Sequence, residues 1–126
     1  MAIKLSSQSA WLFVAGLLGA SGVALDAVAA HALNNPTAAE AVSRAATYQI
    51  LHAIVLFVIA NQPSIPSRVA RWGFLFGLML FSGSIYGKYL LGFAAATNIA
   101  PMGGMLLIAS WLALGMTAWA RIKQST

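Results

Sequence analysis

Few residues in this chain could do chemistry. Its 126 residues include one aspartate, one glutamate, two histidines and no cysteine. Disulfides, thiolate metal sites and thiol nucleophiles therefore drop out together. Arg44, Tyr48 and His52 are spaced by four, with Gln49 beside them, so on a helix they form one polar stripe that could face a bundle interior. At His52 the ordinary reading is a neutral imidazole bonded to a tyrosine or a backbone carbonyl, and the sharper one is a proton-transfer or ligand role. The ordinary reading is preferred. Two further charges, Asp26 and Lys88, stand inside runs that are otherwise apolar, where an ionised side chain needs a partner.

The elements that must position these residues follow from hydropathy. The chain is 60% hydrophobic and 7% charged, a balance that places it among membrane proteins. Apolar runs at about 9–31, 43–61, 72–94 and 100–120 each approach the ~20 residues that cross a bilayer as helix. The fold class is thus an all-α integral membrane protein, one four-transmembrane-helix bundle with short loops. The second helix is expected from 37, because Asn35-Pro36 is a good helix start and Glu40 and Arg44 form an i,i+4 pair suited to a wet extension. The connections, Asn34 to Val42, Gln62 to Arg71 and Ala95 to Ile99, leave no room for another domain. The first run has the look of a signal peptide, with Lys4 ahead of it and Ala27-Val28-Ala29 behind, but it is long for a signal core and contains Asp26. It is read as a membrane helix.

The net charge of +5 is scattered over helix ends, so orientation explains it better than nucleic acid does. With both termini cytoplasmic, Lys4, Arg68, Arg71, Arg121 and Lys123 lie inside, and the outer connections hold only Arg44 and Glu40. Trp11, Trp72 and Trp119 then fall at inner helix ends, at headgroup level.

Small residues locate membrane helix interfaces. Gly19 and Gly22 share a stripe with Asp26 on the first helix, and Gly73 and Gly77 share one with Ser84 and Lys88 on the third. Asp26 and Lys88 come at similar depth on helices running the same way, which predicts that they pair. The alternative is that Lys88 snorkels to the outer headgroups. If the pair forms, a structural lock is preferred over a proton or substrate route. On the fourth helix Gly103, Gly104 and Gly115 are close-contact positions, and Trp111 is expected to fill space between helices or touch a partner.

Four stretches in order carry a resemblance: Ala30-His31-Ala32-Leu33, Thr47-Tyr48-Gln49 with Leu51-His52-Ala53, Leu80-Phe81-Ser82-Gly83-Ser84-Ile85-Tyr86, and Ala100-Pro101-Met102-Gly103-Gly104. The chain resembles the YgdD-like small inner-membrane proteins, the family of domain of unknown function 423. Members commonly read Gly-Ala-Phe-Gly-Ala-His-Ala-Leu where this chain has Ala27-Val28-Ala29-Ala30-His31-Ala32-Leu33 after Asp26. The resemblance implies a four-helix protein of the bacterial inner membrane and no settled activity. It directs attention to His31, Tyr48, His52, Ser82, Ser84 and Tyr86 as family-like polar positions.

An enzyme is not expected: no Gly-x-Ser-x-Gly, His-Glu-x-x-His or phosphate-cradling glycine motif is present, so no catalytic residue is assigned. No metal or cofactor site is assigned either. Two histidines and one nearby carboxylate are a thin ligand supply, and His31 and His52 differ in depth by on the order of 15 Å, which disfavours a shared haem. The expected role is an accessory or structural subunit beside a larger membrane complex, respiratory or photosynthetic. Its partners are then the lipid bilayer and other membrane subunits or copies of itself, with no nucleic acid and no soluble substrate identifiable. The alternative is an oligomeric transporter or channel for a small solute, an ion or protons, whose route the Arg44–Tyr48–His52 stripe would line.

Overall fold

The computed structural model describes residues 6–125; Lys4, assigned above to the inner side, lies outside the described residues. Four α-helices follow one another: α1 Ser7–His31, α2 Pro36–Ile59, α3 Ile65–Tyr89 and α4 Ala100–Ser125. A 3-10 helix, Ala94–Ile99, leads into α4. All four α-helices are long and apolar enough to cross a membrane. Close backbone neighbours are α1–α2, α2–α3 and α3–α4, with no such approach between α1 and α3 or between α1 and α4. The bundle is therefore an open row with α2 and α3 in the middle. Short connections make successive helices antiparallel, so the starts of α1 and α3 share one end with the finishes of α2 and α4.

Local chemistry sets the boundaries. Ser6 caps α1 by accepting from Ser9 N at 3.1 Å. Asn35 Oδ1 accepts from Thr37 N and Ala38 N at 2.9 and 3.2 Å, and Pro36 fills a first-turn position whose N–H would have no helical partner. The third helix starts at Ile65, seven residues before the expected 72. There Ser64 Oγ accepts from Ser67 N at 3.3 Å and Pro66 again fits the first turn. This helix also ends earlier than expected, at Tyr89. Gly92, at φ 78°, turns the chain in the left-handed region that glycine tolerates best, and Phe93 N donates back to Gly87 O at 3.0 Å.

Packing differs along the membrane normal. The apolar core, with Trp11 and Ala15 of α1, Leu56 and Ile59 of α2, Phe74 and Leu78 of α3, and Leu107 of α4, runs from the end near the termini to about the middle of the bundle. Trp11 meets Trp72 edge-on at 5.0 Å between ring centroids, which is where α1 reaches α3.

The glycine stripes meet partners other than those expected. Gly22 faces α2, where an added Cβ would come 2.7 Å from Ile50 Cγ1, and Gly19 faces Ala53 of the same helix. Gly73 and Gly77 face α4, against Ser110 and Leu107. The interface expected between α1 and α3 is thus replaced by two, α1 on α2 and α3 on α4. Gly103 is the least forgiving point, because a Cβ there would run into Phe81 N and come 2.8 Å from Gly77 O, backbone atoms that cannot swing aside. Gly115, expected as a contact position, meets nothing within 4 Å.

Gly103→Ala should therefore destabilise the protein by about 1–3 kcal/mol, the usual range for overpacking. Gly115→Ala should be neutral or stabilising, since helix propensity favours alanine by up to ~1 kcal/mol and nothing is displaced. Unfolding in a mild detergent titrated with sodium dodecyl sulfate checks both, and equal midpoints for the two variants would contradict the packing described.

Candidate functional site

The interior polar side chains cluster on α2 and reach each neighbouring helix from there. Gln49, 5% exposed, is the node. Its Nε2 donates to Leu18 O at 2.8 Å and to Ser21 Oγ at 2.7 Å, both on α1, while its Oε1 accepts from Tyr86 Oη of α3 at 2.9 Å. A backbone carbonyl only accepts, so the amide's orientation follows from the Leu18 contact. Ser21 in turn donates to Leu17 O at 2.7 Å, leaving its oxygen free to accept from Gln49. A second link runs from Ser82 Oγ of α3 to Ala45 O of α2 at 2.9 Å.

His52, also 5% exposed, connects α2 to α4. Its Nδ1 lies 2.6 Å from Tyr48 O and its Nε2 lies 3.1 Å from Trp111 Nε1. The carbonyl must accept and the indole must donate, so Nδ1 carries the proton and Nε2 offers the lone pair. This is one neutral tautomer with both nitrogens occupied. Phe74 at 5.3 Å, Trp111 at 6.0 Å and Tyr48 at 6.1 Å, measured between ring centroids, enclose the imidazole. A groove of about 220 Å³ opens beside them, between Tyr48, Phe81, Gly104 and Ile108.

Asp26 and Lys88 do not pair. Asp26 Oδ1 accepts from Ser43 Oγ of α2 at 2.6 Å, whereas Lys88 Nζ lies 5.1 Å from the centroid of the Tyr89 ring. The physical reason is the packing: Asp26 shares the α1 face that meets α2, and Lys88 shares the α3 face that meets α4. Among the described residues the ion pair is Arg44 with Glu40, at 2.6 Å and largely exposed. Arg44 therefore turns away from the interior it was expected to line. Tyr48 is 42% exposed, so the stripe narrows to Gln49 and His52. His31 is exposed at the end of α1, and Ser84, though buried, bonds Phe81 O of its own helix at 2.8 Å.

Ser21, Ser43 and Arg71 were not singled out as hydrogen-bond partners, and Trp111, expected to fill space between helices or touch a partner, was not joined to His52. One signal could have joined Trp111 to His52: a tryptophan far from either interface must place its N–H, and a mid-membrane histidine needs a donor. Arg71 Nη1 donates to Ile59 O at 2.8 Å and Gln62 O at 2.9 Å, closing carbonyls at the finish of α2, a helix with no basic residue in its own last turn.

Chemically, this arrangement joins helices and leaves little free to react. No group of three or more His, Cys, Asp or Glu side chains that could hold a metal occurs among the described residues. The Tyr86–Gln49–Ser21 chain passes through an amide, which has no titratable proton to hand on near neutral pH.

Gln49→Leu should lower stability by about 2 kcal/mol, taking ~0.6 kcal/mol for each interhelical bond in a membrane. In a double-mutant cycle, Asp26→Leu and Lys88→Met should be additive within about 0.5 kcal/mol, whereas Asp26→Leu and Ser43→Ala should not be. Coupling in the first cycle and additivity in the second would restore the ion pair.

The family described as "Protein of unknown function (DUF423)" matches residues 25–104, a span that contains all four ordered stretches. The chain is 33% identical over 110 residues to a UPF0382 membrane protein of Staphylococcus saprophyticus, covering 82% of this chain and 92% of the relative. It is also 33% identical over 113 residues to a UPF0382 membrane protein of Haemophilus influenzae, covering 85% and 91%. A shorter match, 33% over 76 residues, covers 56% of this chain and 62% of a UPF0382 membrane protein of Bacillus subtilis. No solved structure matches the chain. With its four membrane-spanning helices, this small membrane protein belongs to the DUF423 family.

Proposed function

We propose that the chain is a non-catalytic structural subunit of a larger assembly in the bacterial inner membrane, similar to the YgdD-like proteins and with both termini cytoplasmic. One observation carries this reading. Gln49, Ser82 and His52 are taken up in bonds between helices, while the outer helices α1 and α4 keep broad apolar faces uncovered. Along α4, Met105, Ile108, Leu112, Met116 and Trp119 form one exposed stripe. Methionine adapts to irregular partner surfaces, and tryptophan supplies large contact area. The orientation is supported by Arg68, Arg71, Arg121 and Lys123 at the end where the termini lie.

The test is purification from native membranes in nanodiscs, with mass spectrometry of everything retained. A constant set of other membrane subunits at fixed stoichiometry is expected. Ile108→Ala with Leu112→Ala should lower their recovery severalfold without lowering the thermal stability of the isolated chain. Recovery as a homo-oligomer without other subunits would overturn the reading in favour of an oligomeric transporter or channel.

A further inference from the structure

At the end where the termini lie, a pocket of about 450 Å³ opens between the start of α1, the α2–α3 turn and the first turns of α3. Gln8, Trp11, Asn61, Arg68, Arg71 and Trp72 help to line it. Arg68 and Arg71 are one turn apart on α3 and carry the same sign. No carboxylate side chain lines the pocket, and the chain's aspartate and glutamate, Asp26 and Glu40, belong to the other end. Along α1, Asp26 is about 22 Å beyond Trp11 at ~1.5 Å per residue. The pocket is thus a concentration of positive charge without an internal counterion.

Arg71 makes the site specific. It is 6% exposed, its guanidinium lies 5.6 Å from the centroid of the Trp11 ring, and Nη1 is committed to two carbonyls. Its Nε–H is buried without a partner among the described residues. A buried donor left unbonded is costly, and a guanidinium in the wall of a pocket is well suited to the oxygens of a phosphate. Trp11 and Trp72 set the depth of the pocket at the headgroup level, where the phosphate available is that of a lipid. Trp72 and Phe76 stack at 5.9 Å and are both about half exposed, which continues the pocket into an apolar path along α3.

We propose that this pocket binds the phosphate of an anionic phospholipid in the leaflet on the side of the termini, between Arg68 and Arg71, with an acyl chain laid over Trp72 and Phe76. Native mass spectrometry of the delipidated protein in micelles tests it, using phosphatidylglycerol and phosphatidylcholine with matched acyl chains. The wild type should prefer phosphatidylglycerol, and Arg68→Gln should cut that preference by on the order of fivefold, the factor one interfacial cation contributes. Arg68 is exposed, so this variant leaves the carbonyl bonds of Arg71 intact. Arg121→Gln, which removes a charge at the same end but outside the pocket, should leave the preference unchanged. Equal retention of the two lipids by the wild type would overturn the proposal, as would an equal loss in both variants. Displacement of phosphatidylglycerol by millimolar inorganic phosphate would assign the pocket to free phosphate and overturn the lipid assignment.

Discussion

Hydrocarbon offers no hydrogen-bond partner, so every polar side chain carried into the membrane must be closed by the protein itself. Gln49 meets that constraint more fully than any other described residue. Three groups on two helices converge on its amide, and each bond holds only if α1, α2 and α3 keep one register. A one-turn slip moves a helix by about 5.4 Å, which would break the bonds to Leu18 and Ser21 together. Apolar packing tolerates such slips far better, because one leucine surface is much like the next.

The division of the molecule follows from this. From the end near the termini to about mid-bundle, side chains from all four helices fill one apolar core. In the other half, α1 and α2 meet where Gly22 lies against Ala46, and α3 reaches α2 at Ala45, residues small enough for the backbones to approach. The links from Gln49, Ser82 and Asp26 then cross those narrow gaps with short side chains. Close backbones make the polar bonds reachable, and the polar bonds fix which close packing is adopted. His52 lies between the two regimes, with aromatic rings around it and one bond to each of α2 and α4.

Hydropathy made the four helices legible, since twenty apolar residues in a row have few other uses. The start of α3 was hidden because its first two turns, with Ser67, Arg68 and Arg71, are polar, and the Ser64 and Pro66 signals precede the apolar run. The glycine faces were legible too, but periodicity gives a face and not what covers it. Lys88 follows Gly77 by eleven residues, about 20° around the helix, so once Gly77 faces α4 the lysine cannot turn to α1. Asp26 follows Gly22 by four and turns with it to α2. Two correct faces joined to the wrong neighbours produced an ion pair that the packing forbids. Of the polar stripe, Gln49 and His52 remained inside, whereas Arg44 found a nearer partner in Glu40, one turn away on a wet extension.

Arg71 shows how a charge can be structural and still keep capacity to bind. The carbonyls at the finish of α2 need donors, and that helix has no basic residue in its last turn. A lysine at position 71 could cap carbonyls with its three N–H bonds, but as a flexible point charge it presents no fixed planar edge. A guanidinium divides its donors by geometry. Here Nη1 serves Ile59 and Gln62, and this anchors the plane of the group against Trp11. What remains is a positive charge in the pocket wall at the membrane boundary, held in an orientation the fold has already fixed. An anion arriving there meets a donor that does not have to be ordered first, and the same two carbonyl bonds that secure the α2–α3 turn are what hold it ready.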